Sequence, residues 1–158
     1  PNWNGGDYYA NGGIFHTMVK MRMQTLRFYG IDAQLAPTMP DAEQRDAAIR
    51  RLAETWARVF DANAMVVLRR ALEGFDSTAQ FGRIRAKVLY VLSRTDKLFP
   101  PSLAPSVMQL LDRARVDARY LELDSPYGHL ATGVDADKWA PVLAGFMAEL
   151  ERDAGLRS

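Results

Sequence analysis

The first helical pattern along the chain covers residues 15–29. Apolar side chains recur there at intervals of three and four residues, which predicts an amphipathic helix, and Gly30 is placed to end it. Residues 1–13 are rich in Asn, Gly and aromatic side chains and predict an irregular loop. Residues 31–40 contain two prolines and are predicted to be a linker.

A second helical pattern begins at Asp41. Gln44 follows it three residues later, a spacing typical of a capped helix start. One face of the predicted helix is charged and the other is apolar, the apolar face being formed by Ile49, Leu52, Ala53, Trp56 and Phe60. Polar residues interrupt the pattern at Asp61, and a further helix is predicted over Ala62–Leu72. The first half of the chain is therefore predicted to be helical.

The pattern changes in the second half of the chain. Lys87–Leu92 is a short, continuous apolar run, which favours a strand buried on both faces of a parallel sheet. A helix over Ser102–Ala114, a second strand over Ala118–Leu123 and a last helix capped near Asp135 or Asp137 complete a strand–helix–strand–helix unit. This order predicts part of an α/β fold with a parallel sheet.

Two strands alone do not make a stable doubly wound sheet. The remaining strands are expected either from an N-terminal segment absent from this chain or from another chain. The chain also starts at Pro1, without an initiator methionine, and we expect it to be a piece of a longer protein.

The amino-acid composition excludes several classes of function. The 158 residues are 48% hydrophobic with a net charge of +1, which favours a globular domain and gives no basic footprint for nucleic acid. The absence of cysteine excludes disulfides and thiolate chemistry, and two histidines are too few for a histidine-rich metal site. No apolar run approaches the roughly 20 residues of a membrane span, and no signal peptide is evident. A cytoplasmic protein without a metal is the expectation.

Two residues are candidates for catalysis. Asp96 lies in the loop after the first predicted strand, and His129 lies in the loop after the second. Ligands of open α/β sheets bind at the carboxyl ends of the strands, so both loops are placed where an active site belongs. Asp96 is expected to hold one ring nitrogen of His129 at about 2.6–3.2 Å and leave the other as general base.

The order of these residues matches a Ser, then Asp, then His triad. Alone, Asp96 is more simply a turn former, and His129 a loop histidine beside glycine. No serine of the chain has the G-x-S-x-G context of a nucleophile. The nucleophilic serine is therefore expected outside this chain, in a missing N-terminal half or a complementary chain.

Four blocks of sequence resemble the C-terminal part of homoserine O-acetyltransferases. They are Trp3–Tyr9, Phe60–Ala64, Asp96–Pro101 and Tyr127–His129, and they occur in the family's order. The resemblance implies an α/β-hydrolase fold in which residues 1–13 lead from the missing core, residues 14–76 form an inserted helical lid and residues 77–158 form the C-terminal part of the core.

The same resemblance implies the chemistry and the assembly. An acyl-serine intermediate would form from acetyl-CoA as donor, with small molecules as donor and acceptor and no bound cofactor. A homodimer built through the lid helices is also implied.

Leu130 departs from the family pattern, which has Asp after the histidine. We expect Leu130, together with Leu98 and Phe99 beside Asp96, to line the substrate site, and the loss of the carboxylate argues against homoserine as acceptor. The hypothesis is an acyltransferase. The alternatives are an esterase that uses water on the same fold, and a non-catalytic subunit that completes another chain.

Overall fold

The computed structural model describes residues 2–9 and 13–155. By its internal contacts the chain divides into two compact units, Pro1–Asp76 and Ser77–Ser158. In the described residues the first unit is helical, and the second unit holds the strands.

The described part of the first unit contains α1 (Phe15–Tyr29), α2 (Ile31–Leu35), α3 (Ala42–Val59) and α4 (Ala62–Glu73). Gly30 ends α1 with a φ of 102°, left-handed backbone that glycine adopts without a steric penalty. The predicted start of α3 is confirmed, because the Asp41 carboxylate accepts a hydrogen bond from the Gln44 N–H at 2.8 Å.

The prediction of an unstructured linker over residues 31–40 is partly wrong. Its first five residues form α2, directly after the turn at Gly30. The burial of Ile31 supplies the reason, since its side chain is only 6% exposed and anchors this short helix in the unit.

The helices of the first unit hold its core. α1 packs against α3 and contributes Met18, Val19, Met23 and Leu26, all buried. Ile49 and Ala53 of α3 are completely buried. Their four-residue spacing places both on one face of α3, as the sequence pattern predicts.

Hydrogen bonds hold the N-terminal segment against the start of α4. The Tyr8 hydroxyl donates to Asp61 Oδ1 at 2.6 Å and accepts from the Ala62 N–H at 3.0 Å. The Asn63 amide donates to the Gly6 carbonyl at 3.0 Å. The hydrogen bond to Asp61, with burial, raises the pKa of Tyr8 to about 12. Two of the four sequence blocks, far apart in the chain, therefore meet in one cluster.

The second unit has the predicted strand–helix–strand–helix order. Its elements are β1 (Val88–Ser93), α5 (Ala104–Arg113), β2 (Ala118–Leu123), α6 (Ala131–Val134) and α7 (Ala136–Asp153). β1 and β2 are parallel, and their register runs from Val88 opposite Ala118 to Ser93 opposite Leu123. The carboxyl ends of both strands therefore lie side by side.

Burial of the strands differs from the prediction. In this chain Val88–Val91 of β1 are half-buried, and burial is complete only at Leu92 and Ser93. Within the described residues the sheet has two strands, so β1 and β2 each have one strand neighbour. A strand with one neighbour leaves its other side accessible, which accounts for the half-burial.

The predicted start of α7 near Asp135 is confirmed, but the predicted side-chain cap is not. Asp135 is the residue before the helix, yet its carboxylate makes no capping bond to the backbone. It accepts instead from Lys138 Nζ at 2.8 Å, and Asp137 lies in the first turn of α7. The carboxylate of Asp135 is thus engaged, but with side chains.

Charged side chains tie α7 to the amino ends of the strands. Lys87 lies 2.9 Å from Glu149 and 2.6 Å from Asp153, and Arg119 of β2 also bonds to Glu149. The hydrogen bonds from Arg119 and Lys87 lower the pKa of Glu149 to about 2. This cluster lies at the opposite ends of the strands from Asp96 and His129.

The described helices include none that is both long and apolar enough to cross a bilayer.

Candidate active site

The two candidate catalytic residues lie in loops that follow neighbouring parallel strands. The loop after β1 turns at once, with the Asp96 N–H donating to the Ser93 carbonyl at 3.1 Å. The loop after β2 leads to a single 3₁₀ turn, Gly128–Leu130, which carries His129. Because Ser93 and Leu123 are register partners, both loops leave the sheet at the same edge.

Asp96 and His129 are joined by a hydrogen bond. The distance from His129 Nδ1 to Asp96 Oδ2 is 2.9 Å, within the expected range. A carboxylate accepts only, so the Nδ1 proton is donated to it and the ring is held with Nε2 as its basic nitrogen. Asp96 is 8% exposed, whereas the side chain of His129 is 32% exposed. The buried carboxylate thus orients an imidazole that remains accessible.

The second oxygen of Asp96 is held by backbone. Oδ1 accepts from the Leu98 N–H at 2.7 Å and from the Phe99 N–H at 3.2 Å. Burial by itself would raise the pKa of Asp96, but the hydrogen bonds from His129 and from these two backbone groups outweigh it, and the pKa lies below its ordinary value. Asp96 is therefore held ionised, and its carboxylate fixes the backbone of the loop that follows it.

The predicted substrate-binding side chains lie beside the pair. The Phe99 ring is tilted against the His129 ring, with 5.6 Å between centroids, and is 49% exposed. Leu98 is 38% exposed, and its backbone rather than its side chain holds Asp96. Leu130 follows His129 in the same 3₁₀ turn and is half-buried. Apolar surface therefore adjoins the imidazole, and substrate binding by these three residues stays a prediction.

Sequence reasoning missed the residues that connect the two loops. Thr95, directly before Asp96, hydrogen-bonds to the loop that carries His129. Ser125, considered only as a nucleophile and set aside, is 1% exposed and bonds within that loop. A small hydroxyl residue beside each candidate is a weak signal, since such residues are common in any turn.

A cavity of about 610 Å³ lies within the first unit. Met18, Met21 and Met65 line it together with His16. Methionine-lined space of this kind adapts to many shapes, and nothing at the cavity fixes a reaction. Across the described part of the chain, no group of three or more His, Cys, Asp or Glu side chains is arranged to hold a metal ion.

No protein-family model matches the chain. Homoserine O-acetyltransferase of Haemophilus influenzae is 31% identical over 157 residues, covering 88% of this chain and 44% of that protein. Homoserine O-succinyltransferase of Bordetella pertussis is 28% identical over 182 residues, covering 99% of this chain and 44% of that protein. The crystal structure of esterase E22 superimposes with a TM-score of 0.73 at 23% identity, covering 92% of this chain and 45% of that one.

The chain has the fold of α/β-hydrolases and is similar in sequence to homoserine O-acyltransferases. The predicted α/β-hydrolase fold and the resemblance to homoserine O-acetyltransferases are both confirmed. The chain spans somewhat less than half the length of the curated relatives it matches. In this α/β-hydrolase chain, the Asp96–His129 pair lies in the loops after two successive strands of the sheet, in the order that the fold's triads follow.

Proposed function

We propose that Asp96 and His129 are the acid and the base of a Ser–His–Asp triad in an acyl-transferring enzyme similar to homoserine O-acyltransferases. The observation that carries the proposal is the 2.9 Å hydrogen bond from His129 Nδ1 to the buried carboxylate of Asp96. The nucleophilic serine would belong to the rest of the protein, outside this chain. The match to homoserine O-acetyltransferase of Haemophilus influenzae covers 44% of that protein, and the serine would lie in the part that this chain does not match.

His129 would act twice in the reaction. Its Nε2 takes the proton of the serine hydroxyl while the serine oxygen attacks the carbonyl of an acyl thioester, and it then gives that proton to the departing thiolate. In the second half, Nε2 takes the proton of the acceptor hydroxyl as that oxygen attacks the acyl-serine, and it returns the proton to the serine oxygen. Asp96 stays ionised and stabilises the imidazolium at each step.

Acetyl-CoA is the donor that the resemblance implies. One relative is named for succinyl transfer, so succinyl-CoA is the competing donor. We also propose, from the resemblance, that residues 14–76 form a lid over the site and that lid helices build a homodimer.

An esterase is the second candidate, and Leu130 is the observation that favours it. The residue after the histidine is apolar here, where the family resemblance places an aspartate. A homoserine ammonium group in a closed site needs a carboxylate partner. Asp135, the nearby substitute, is already bonded to Lys138. Water or an uncharged alcohol would then be the better acceptor.

The test compares acceptors in the full-length protein. Acetyl-CoA, succinyl-CoA and p-nitrophenyl acetate are each offered with and without homoserine, and O-acylhomoserine and free acid are measured. Saturable O-acylhomoserine formation supports the transferase. Hydrolysis unaffected by homoserine supports the esterase. No turnover of any donor would contradict both and leave the non-catalytic alternative.

Leu130→Asp tests the assignment of the acceptor. Restoring a carboxylate beside His129 should raise the ratio of O-acylhomoserine to hydrolysis product by about tenfold, because one charge-assisted hydrogen bond contributes roughly 1.5 kcal/mol or more. Val134→Asp is the matched control, since it adds the same charge at an exposed apolar position four residues further on. An equal change in both variants would show that Leu130 does not select the acceptor.

A further inference from the structure

We propose that Thr95 is a positioning residue whose hydroxyl fixes the loop of His129 relative to Asp96. The inference rests on the proposed function, because it assigns Thr95 a part in the action of that pair. The Thr95 hydroxyl bonds to the backbone of Ser125 and Gly128, and it takes no part in the proton transfers of the proposed mechanism. It acts through the backbone on which His129 is carried.

The Thr95 hydroxyl joins the two active-site loops. It donates to the Ser125 carbonyl at 2.7 Å and accepts from the Gly128 N–H at 3.0 Å. A threonine hydroxyl has one proton, so donation to Ser125 fixes its orientation and leaves a lone pair for Gly128. One side chain thereby satisfies two backbone groups that lie on either side of Pro126 and Tyr127.

The positions of these contacts couple them to the catalytic pair. Thr95 directly precedes Asp96, and Gly128 directly precedes His129. Thr95 therefore holds the loop after β2 at Gly128, next to His129. Gly128 is buried and has a φ of 55°, a left-handed turn that aims the chain into the 3₁₀ turn of His129. A shift of Gly128 would move the imidazole directly.

The partner of Thr95 is itself held firmly. The Ser125 side chain is 1% exposed, and its hydroxyl oxygen accepts from the Tyr127 N–H at 3.2 Å. The same hydroxyl hydrogen-bonds to the carboxylate of Asp135, which is also paired with Lys138. Lys138 in turn donates to the Asp124 carbonyl at 3.1 Å. Residues at and just before the start of α7 therefore hold the loop after β2 in place.

Thr95, in the loop after β1, holds the loop after β2 through its hydroxyl. Its own side chain is exposed in this chain, but both of its hydrogen bonds end on shielded backbone at Ser125 and Gly128. Removing the hydroxyl leaves a buried carbonyl and a buried N–H without that partner. The loop would relieve this by moving, and the distance from His129 Nδ1 to Asp96 would no longer be fixed.

Removal of the Thr95 hydroxyl should affect turnover more than substrate binding. Proton transfer requires the imidazole in place within a fraction of an ångström, and displacements of about 1 Å cost on the order of a hundredfold in rate. Two of the predicted substrate-binding residues, Leu98 and Phe99, lie in the loop of Asp96, and their backbone bonds to its carboxylate do not involve the Thr95 hydroxyl. Loss of the Thr95 hydroxyl is therefore expected to lower kcat and leave KM nearly unchanged.

The experiment compares three variants of the full-length protein, using p-nitrophenyl acetate as the activated ester. Thr95→Val removes the hydroxyl and keeps the shape, Thr95→Ser keeps the hydroxyl, and Thr132→Val deletes a hydroxyl at an exposed position three residues after His129. We expect Thr95→Val to lower kcat by about ten- to a hundredfold. Thr95→Ser and Thr132→Val should stay within about threefold of wild type.

A spectroscopic measurement separates this inference from the proposed function. The Nδ1 proton of His129 that bonds to Asp96 gives a low-field ¹H NMR signal, which is assigned by its loss in His129→Ala. It should broaden or vanish in Thr95→Val, as the loosened bond exchanges with water, and persist in Thr95→Ser. This readout needs no turnover, so an inactive wild-type protein would contradict the proposed function while the signal still tests Thr95.

Two results would overturn the inference. One is a Thr95→Val protein with wild-type kcat and an unchanged signal. The other is failure of both Thr95→Val and Thr95→Ala to fold while Thr95→Ser folds, because the hydroxyl would then be needed for folding rather than for positioning.

Discussion

The two oxygens of the Asp96 carboxylate have separate partners. Oδ1 is held by the backbone N–H groups of Leu98 and Phe99, and Oδ2 receives the Nδ1 proton of His129. The backbone bonds fix the carboxylate in its own loop, and the side-chain bond reaches the other loop. The arrangement supplies orientation and charge, which are the two contributions that a triad needs from its acid.

Replacement of either residue should abolish most of the proposed activity. Asp96→Asn keeps the shape but presents an amide that favours the wrong tautomer of His129, and kcat should fall by about four orders of magnitude. His129→Ala removes the base and should cost at least as much. The measurement is kcat for p-nitrophenyl acetate in the full-length protein.

His16→Ala is the control for that experiment, because it removes the other histidine of the chain. It should retain wild-type turnover of the ester. A loss smaller than about tenfold in His129→Ala would show that His129 is not the base.

At the scale of elements, the start of α4 depends on the N-terminal segment. The Asp61 carboxylate accepts from the Asn63 N–H at 2.9 Å, and the hydroxyls of Tyr8 and Tyr9 both donate to the same oxygen. These hydrogen bonds lower the pKa of Asp61, with the bond from Tyr8 contributing most. A helix start is thus completed by residues more than 50 positions earlier in the chain.

Tyr8→Phe should lower the free energy of unfolding of the full-length protein by roughly 1–2 kcal/mol, because it leaves the buried Ala62 N–H without its acceptor and removes the bond to Asp61. Tyr9→Phe is the matched control. Tyr9 is 63% exposed, so water replaces its hydrogen bonds to Asp61 and Asn63, and the cost should be only a few tenths of a kcal/mol. Urea unfolding of both variants measures the difference, and equal losses would contradict the role given to Tyr8.

At the scale of the whole molecule, much apolar surface is uncovered in this chain. Val67, Leu68 and Leu72 of α4 are between 57% and 68% exposed. Most of β1 is half-buried, and its sheet has two strands among the described residues. Exposed apolar surface of this extent is typical of contact regions.

Residues 1–158 expressed alone are therefore expected to be insoluble or to unfold without a cooperative transition, because two strands do not form an independently stable sheet. Solubility and a thermal melt measure this. Co-expression with the rest of the protein is the control and should restore a soluble product. A sharp thermal transition from the pure 158-residue species would contradict the prediction.

Local sequence is enough to place most of the elements and to identify the residues that are candidates for the chemistry. Periodicity, the glycine after α1 and the Asp41 cap act within a few residues, so the bounds of α1 and the start of α3 follow from local sequence. The positions of Asp96 and His129 after two apolar runs are equally local. The pattern of elements indicates a parallel α/β sheet, and the resemblance to homoserine O-acetyltransferases indicates the α/β-hydrolase fold.

The contacts between these residues depend on the three-dimensional fold. The contacts of Asp96 with His129 and of Thr95 with Gly128 each join positions 33 residues apart, and no local pattern specifies the distance between them. The same reason explains two of the predictions that were wrong. Asp135 bonds to side chains instead of capping α7, and the strands are half-buried, because both outcomes depend on which distant groups are present to contact them.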